Sequence, residues 1–426
     1  MTTVQRNDVA DLRRYPVPRP DDAHWPGLAT PPRAPGRARI AESIFRRAVA
    51  PLPVRVVLPD GRAFGSGGKR APVMRLVRPS SFYARLGADV QIGFGEAYMT
   101  GDWATGSDTD LADLLAAFAA RLTRLVHPAL QRLRHLVERT QPVHEENSKE
   151  NSRSNISRHY DLSNDLFEAF LDETMTYSSA WFEAGDGLRD AQLRKIDGIL
   201  DLARVRSGMH LLEIGSGWGA LAIRAARERG ARVTTLTLST EQQALARKRA
   251  EAAGVGDLVE FRLQDYRDAT GQFDAVVSVE MIEAVGEQYW PTYFGALDGL
   301  LAPGGRVGLQ AITMPHDRMM ATRRSYTWIN KYVFPGGIIP SLRAIEDNLA
   351  AQTRLSIVEC RELGPHYART LALWRERFLA NWSALSGSFD DTFRRMWEFY
   401  LAYCEAGFRV GYLGVSQLGL ARTPTW

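Results

Sequence analysis

The stretch Leu211–Gly219, LLEIGSGWG, constrains this chain more than any other. An apolar run ends in an acid, Glu213. Gly215, Gly217 and Gly219 then alternate with Ser216 and Trp218, and Ala220–Arg227 has helical spacing. The order is strand, tight turn, helix. Turn glycines reach positive φ and let a ligand approach the backbone, and the helix start adds free N–H groups. The spacing is G-x-G-x-G, not the G-x-G-x-x-G that seats a pyrophosphate. Glu213 would repel a phosphate but could accept a hydrogen bond from an amino-acid ammonium. The combination suits S-adenosylmethionine better than a dinucleotide, with an ordinary βα turn as the alternative.

The residues that follow keep this rhythm. Val233–Leu238, Val259–Leu263, Phe273–Val279 and Arg306–Ala311 read as strands, Glu241–Ala253 and the stretch 286–305 as helices. Alternation of this kind predicts an α/β, Rossmann-like, doubly wound parallel sheet. Ligands of such sheets sit beyond the C-terminal strand ends. The glycine turn, Thr237–Gln243, Gln264–Tyr266 and Glu280–Glu283 all fall there. The second strand tip lacks the acid that usually holds a ribose, so Thr237, Ser239 and Gln242 are the expected hydrogen-bonding groups. Gln264, Asp265 and Tyr266 stand where an adenine amino group is read, with a helix cap the alternative for Asp265. Glu283 lies in an apolar, aromatic setting, with a surface salt bridge as its alternative. Tyr177, Trp181, Trp218, Tyr289 and Trp290 are candidates for a box around a sulfonium, against plain core packing.

Upstream the texture differs. Residues 1–37 are rich in Pro and Arg and read as a flexible arm; 38–140 form a smaller N-terminal α+β domain; 141–157 read as a polar linker; 158–426 hold the main domain. In the N-terminal domain Ile40–Ala48 reads as a helix, and Val54–Leu58, Val73–Val77 and Val90–Gly93 as strands. Asp108 is the expected cap of a helix beginning near Leu111. Arg121, Arg124, Arg132, Arg134 and Arg139 make its continuation basic and amphipathic, fit for a domain-linking helix or for a membrane surface. In the main domain His159–Asp172 and Gln192–Ala203 read as helical and Met175–Phe182 as a Ser- and aromatic-rich loop. Tyr326–Pro340, after Arg318, Arg323 and Arg324, reads as a lid or the rim of a lipid tunnel, or else as a core hairpin.

At 426 residues two domains are the default. A net charge of +4 is compatible with an anionic membrane surface, while no nucleic-acid-binding signature or metal-ligand spacing is present. Cys360 and Cys404 are too few for a disulfide framework. With no apolar signal-like run near the N-terminus and none of the ~18 residues a bilayer span needs, a cytoplasmic, peripherally membrane-associated protein is expected.

The motifs HYDLSNDLFEAFLDETMTYSSAWF, LLEIGSGWG, TLSTEQQ, LQDYRD, FDAVVSVEMIEAVG, YTWINKYVFPGGIIPS, PHYARTLALWRERF and YLAYCEAGFRVGYL, in this order, resemble the cyclopropane-fatty-acyl-phospholipid synthases. The likeness is dense from Arg153 to Gln417 and extends more weakly through GFGEAYMTGDW. It implies a class I methyltransferase domain that binds S-adenosylmethionine and methylates the cis double bond of a phospholipid acyl chain. It puts Tyr177, Ser178, Gly215, Gly217, Thr237, Gln242 and Asp265 around the cofactor, with Trp218 beside it. In the cyclopropane enzymes a bicarbonate ion serves as base, held by a Cys, a Glu, a His, a backbone group of an Ile and a Tyr. Glu283, Ile312 and Tyr367 match three of these. Ser179 stands at the Cys position, Gln310 at the His position, and Ala284 follows the Glu where a His is common. This pattern resembles the actinobacterial branch that makes 10-methylene (tuberculostearic-type) fatty acids.

The resemblance implies that Glu283 is the base or holds it, and leaves open whether bicarbonate is retained or replaced, with Glu145 or Glu146 of the linker as a further candidate. A neutral Gln lends no charge to an anion, and losing a charge-assisted hydrogen bond, at roughly 1.5–3 kcal/mol, shifts a partition between two fates of one cation about tenfold or more. A methylene-branched product is therefore expected, with a separate reductase needed to saturate it; homodimerisation stays open. The alternatives are a true cyclopropane synthase and a catalytically weak lipid-binding subunit.

Overall fold

Seven strands build the sheet that carries the glycine turn: β5 (His210–Ile214), β6 (Arg232–Thr237), β7 (Val259–Leu263), β8 (Phe273–Val279), β9 (Leu301–Thr313), β10 (Leu355–Glu362) and β11 (Gly414–Arg422), in the order β10-β11-β9-β8-β5-β6-β7. The computed structural model describes residues 18–125, 147–148, 151 and 163–422. β7, β6, β5, β8 and β9 are parallel, and β11 pairs antiparallel with both β9 and β10. The doubly wound parallel sheet is thus extended by a mixed edge. The sequence reading missed β10 and β11, because LSIVECRE and GVSQLGLAR carry charged or small residues in the runs.

Chain order reverses between β5 and β8. β5 leads outward to β6 and β7, and β8 returns to the other side of β5. The loops after β5 and β8 therefore diverge and open a crevice at the strand ends. One face of the sheet buries Leu212, Ile214 and Val276 under the helices Trp290–Leu300 and Leu342–Gln352. The other buries Leu211, Val233 and Ala275 under Leu188–Leu202, Ala220–Arg229 and Thr240–Ala252. Gly219 begins the second of these helices at φ 86, and a Cβ there would come within 3.1 Å of Ala246. Its role is close packing of helix on sheet.

The chain separates into two units: Gln141–Arg324, Phe334–Arg377 and Gly411–Trp426 around this sheet, and Met1–Thr140, Ser325–Val333 and Phe378–Val410. The last two segments were expected in the main domain. They belong with the N-terminal unit because Trp328 packs on Phe399 (ring centroids 4.8 Å) and Glu96 accepts from both Lys331 Nζ at 2.6 Å and Tyr332 Oη at 2.8 Å.

The N-terminal unit holds a four-stranded sheet, β2-β1-β3-β4, of β1 (Arg55–Val57), β2 (Ala63–Phe64), β3 (Val73–Leu76) and β4 (Trp103–Thr105). The expected strand Val90–Gly93 is instead the start of a helix, Val90–Met99. Asp89 caps it by accepting from the Gln91 and Ile92 N–H groups. Its glycines serve packing: a Cβ on Gly95 would lie 2.5 Å from the Trp328 ring. Asp110, not Asp108, caps the helix Leu111–Leu125. Part of the proline-rich arm is also ordered, since Leu28 is buried and Trp25 Nε1 donates to Asp390 at 2.9 Å. Arg132, Arg134, Arg139, Glu145 and Glu146 lie outside the described residues. Among the described residues no helix is long and apolar enough to cross a membrane.

Candidate active site

The crevice at the β5/β8 switch point is lined by the glycine turn, the loops after β6, β7 and β8, and the loop Met175–Ser178. Gly215, Gly217 and Gly219 all have positive φ. They do different things. A Cβ on Gly215 would strike Met281 at 2.6 Å, whereas one on Gly217 would meet nothing within 4 Å. Gly217 is therefore the backbone position open to a ligand.

Glu213 is fully buried and accepts from Thr235 Oγ1 at 2.6 Å. Burial pushes its carboxyl up to about 8, opposed by that hydrogen bond and by Lys195. A cationic amino group would supply the charge this site lacks. Lys195 is buried too. Desolvation lowers its ammonium to about 8 against the attraction of Glu280, Asp172 and Glu213, and its Nζ donates to Ser178 Oγ at 2.5 Å.

Thr237 Oγ1 donates to Gln242 Oε1 at 3.0 Å, and both line the crevice. Ser239 does not line it: its Oγ accepts from the Gln242 N–H and caps the helix Thr240–Ala252. Asp265 lines the crevice and is also a cap, accepting from the Arg267 N–H at 2.9 Å and from its guanidinium at 2.9 and 2.7 Å. Gln264 and Tyr266 stand beside it, and burial pushes the Tyr266 phenol up to about 12. Asn147 is one of the described residues of the expected linker, and it lines the crevice. Of the five aromatic candidates only Tyr177 and Trp218 do so. Trp218 Nε1 donates to Asn164 Oδ1 at 2.8 Å. Trp181 lies under Arg361 at 4.2 Å, Tyr289 faces Arg267 at 5.5 Å, and Trp290 is core.

Two carboxyls follow β8: Glu280, which lines the crevice, and Glu283, which does not. Glu283 is not in a surface salt bridge. It is half-buried; Oε1 accepts from the Ile312 N–H, and Oε2, itself shielded from solvent, has no hydrogen-bond partner among the described residues. Burial, then repulsion from Glu280, pushes it up to about 8. The other groups expected around Glu283 turn to Glu280 instead. Its Oε1 accepts from the Ser179 N–H at 2.9 Å and Gln310 Nε2 at 2.8 Å, and its Oε2 from Tyr367 Oη at 2.8 Å. Burial raises this carboxyl as well, opposed by the Ser179 N–H, Lys195, Gln310 and Tyr367 in that order. The Ser179 hydroxyl points elsewhere, donating to the Ala180 carbonyl at 3.1 Å.

Gln310 is aimed by its neighbours. Gln417 Nε2 donates to Gln310 Oε1 at 2.9 Å, and Arg361 donates to Gln417 Oε1 at 2.9 Å. This fixes the Gln310 amide with its NH2 toward Glu280. The sequence reading placed Glu280 in the right cluster but grouped Gln310 and Tyr367 with Glu283, whereas both bond Glu280, and it passed over Lys195 and Gln417. The available signal was the acid pair of VEMIE directly after a strand; Gln417 lies in a strand it had not found.

A family profile described as mycolic acid cyclopropane synthetase matches residues 147–418. The tuberculostearic acid methyltransferase UfaA1 of Mycobacterium tuberculosis is 51% identical over 414 residues, 94% of this chain and 96% of the relative. The cyclopropane-fatty-acyl-phospholipid synthase of Escherichia coli K12 is 34% identical over 355 residues, 83% of this chain and 88% of that one. Among solved structures, mycolic acid cyclopropane synthase CmaA1 complexed with SAH and CTAB superposes with a TM-score of 0.58 at 31% identity, covering 63% of this chain and 97% of its own.

Proposed function

The chain belongs to the mycolic acid cyclopropane synthetase family of S-adenosylmethionine-dependent enzymes, and from that premise we propose that it methylates the cis double bond of a phospholipid acyl chain to give a methylene branch. The observation that carries this reading is the desolvated carboxyl pair Glu280 and Glu283 after β8, with Glu280 in the wall of the crevice opened by the glycine turn. S-adenosylmethionine, when bound, supplies an electrophilic sulfonium methyl. Glu213 pairs with its ammonium, and the open backbone at Gly217 lets it lie against the turn.

The alkene's π electrons form the new bond to the methyl carbon as the sulfur–carbon bond breaks, leaving a carbocation on the neighbouring acyl carbon. A 1,2-hydride shift brings the positive charge to the methyl-bearing carbon. A C–H bond of the new methyl then breaks, its electrons forming the exocyclic double bond and its proton passing to a carboxylate. Crowding by buried apolar residues such as Val279 and Val285 keeps water from the cation. The name of the 51% identical relative supports the methylene branch; a separate reductase would saturate it. The E. coli relative keeps cyclopropanation as the competing outcome.

Lipid access supports a peripheral contact with an anionic membrane. On the helix Pro35–Val49, Ile40 and Ile44 are 61% and 62% exposed, in one stripe with the exposed Arg37 and Arg47. Isoleucines one turn apart between arginines suit an anionic interface. The test of the function is incubation with S-adenosylmethionine and dioleoyl phospholipid vesicles: acyl chains that gain one CH2 as an exocyclic methylene support it, and cyclopropane chains, or unchanged chains under conditions where the cofactor binds, reject it.

A further inference from the structure

Among the carboxyls of the crevice, Glu280 has the most elaborate setting. Its backbone is left-handed, φ 52, a conformation rare outside glycine. Its N–H is held by the Gln310 carbonyl at 2.8 Å. The side chain is half-buried in the crevice wall and meets three donors from three separate elements: the Ser179 N–H, Gln310 Nε2 and Tyr367 Oη. Strain of this kind persists where the surroundings over-determine it, and it clusters at functional sites.

We propose that Glu280 is the general base that removes the methyl proton, so that turnover needs no anion from solution. The proposal rests on the methyl-transfer reading above. A carboxylate offers about four acceptor positions, and Glu280 uses three on fixed donors. One lone pair of Oε2 remains for the proton. The same three donors are the groups an external anion would need, and Glu280 already engages them. Such an anion would also lie against two carboxyls with only Lys195 as nearby counter-charge. Among the described residues Glu283 takes only backbone N–H groups, with Ile312 on Oε1 and no partner on Oε2. When two carboxyls share a buried site, the better hydrogen-bonded one keeps its charge and the other its proton. Glu280 is therefore the carboxylate, and Glu283 the neutral neighbour that holds the loop to β9. Gln417 is a positioning residue that keeps the Gln310 NH2 on Glu280.

The substitution Glu280→Gly suits the test, because glycine adopts φ 52 without strain and leaves a space lined by the three donors. The wild type is first assayed on dioleoyl phospholipid vesicles with and without added bicarbonate, in degassed buffer; failure to form any methylated product there would sink the function itself and not this assignment. Expected are equal wild-type rates in both buffers, a loss of about 100-fold or more in Glu280→Gln with cofactor affinity by calorimetry retained, and partial recovery of Glu280→Gly on adding formate or bicarbonate. Wild-type turnover that rises saturably with bicarbonate would overturn the proposal. So would a Glu280→Gln enzyme as fast as wild type, and activity retained there but lost in Glu283→Gln would move the base to Glu283.

Discussion

On the proposed function, single residues divide the site into a cofactor end and a proton-transfer end. Glu213 governs the first. Its carboxyl sits near 8 because it is buried with one Thr hydroxyl and a distant Lys for support. A bound ammonium favours the ionised form, so below pH 8 binding must expel a proton. Calorimetry at pH 7 in buffers of different ionisation enthalpy should register proton release on S-adenosylmethionine binding and an affinity that falls as pH drops; buffer-independent heats would contradict the role. Gly217 is the second residue with a sharp expectation. Gly217→Val projects a branched side chain into the one open position of the turn, on a backbone at φ 47, and binding should be lost while circular dichroism shows the sheet intact. Much of this end was legible in the sequence, because E-x-G-x-G-x-G is a local pattern with local causes. The proton-transfer end was not. Ser179, Glu280, Gln310 and Tyr367 are brought together from four separate stretches of chain, and nothing local reveals that a backbone N–H, an amide and a phenol converge on Glu280 and not on Glu283.

At the scale of elements, legibility followed periodicity. The parallel strands β5 to β8 were found nearly to the residue, while β9 begins at Leu301, five residues before the expected start and inside the expected helix 286–305; β10 and β11 were missed. Val90–Gly93 has a β-branched, apolar look, but the Asp89 cap and two glycines pressed against neighbours decide for a helix. The stretch 326–340 is not a hairpin: Trp328–Tyr332 is a short helix of the N-terminal unit, while in the other unit the Ile338 N–H donates to the Glu283 carbonyl at 2.8 Å. The helix Pro35–Val49 carries its own prediction. Replacing Ile40 and Ile44 together by Asp, at exposed positions that cost the fold little, should weaken binding to anionic vesicles in sedimentation, and wild-type binding should fall with salt. Binding indifferent to both would leave this stripe without a lipid role.

For the whole molecule, burying Glu213, Glu280 and Glu283 has a thermodynamic signature. Glu213 and Glu283 have folded-state pKa values raised to about 8, so their contributions are present below about pH 4.5 and are lost as pH rises toward 8, and burial raises the Glu280 carboxyl in the same direction. The depressed histidines His210 and His366 oppose this only below about 6.5. Between pH 7 and 8 the ligand-free protein should therefore lose thermal stability, and S-adenosylmethionine should restore part of it; a melting temperature that rises across this interval would refute the burial account. The proposed methylene product and a cyclopropane differ in where the two alkene hydrogens end. The direct measurement is proton and deuterium NMR of acyl chains recovered after incubation with a phospholipid bearing deuterium on both alkene carbons. An exocyclic methylene with both deuterons on the adjacent carbon, the trace of a hydride shift, is the predicted result; a cyclopropane ring with one deuteron on each of its two chain carbons would contradict it.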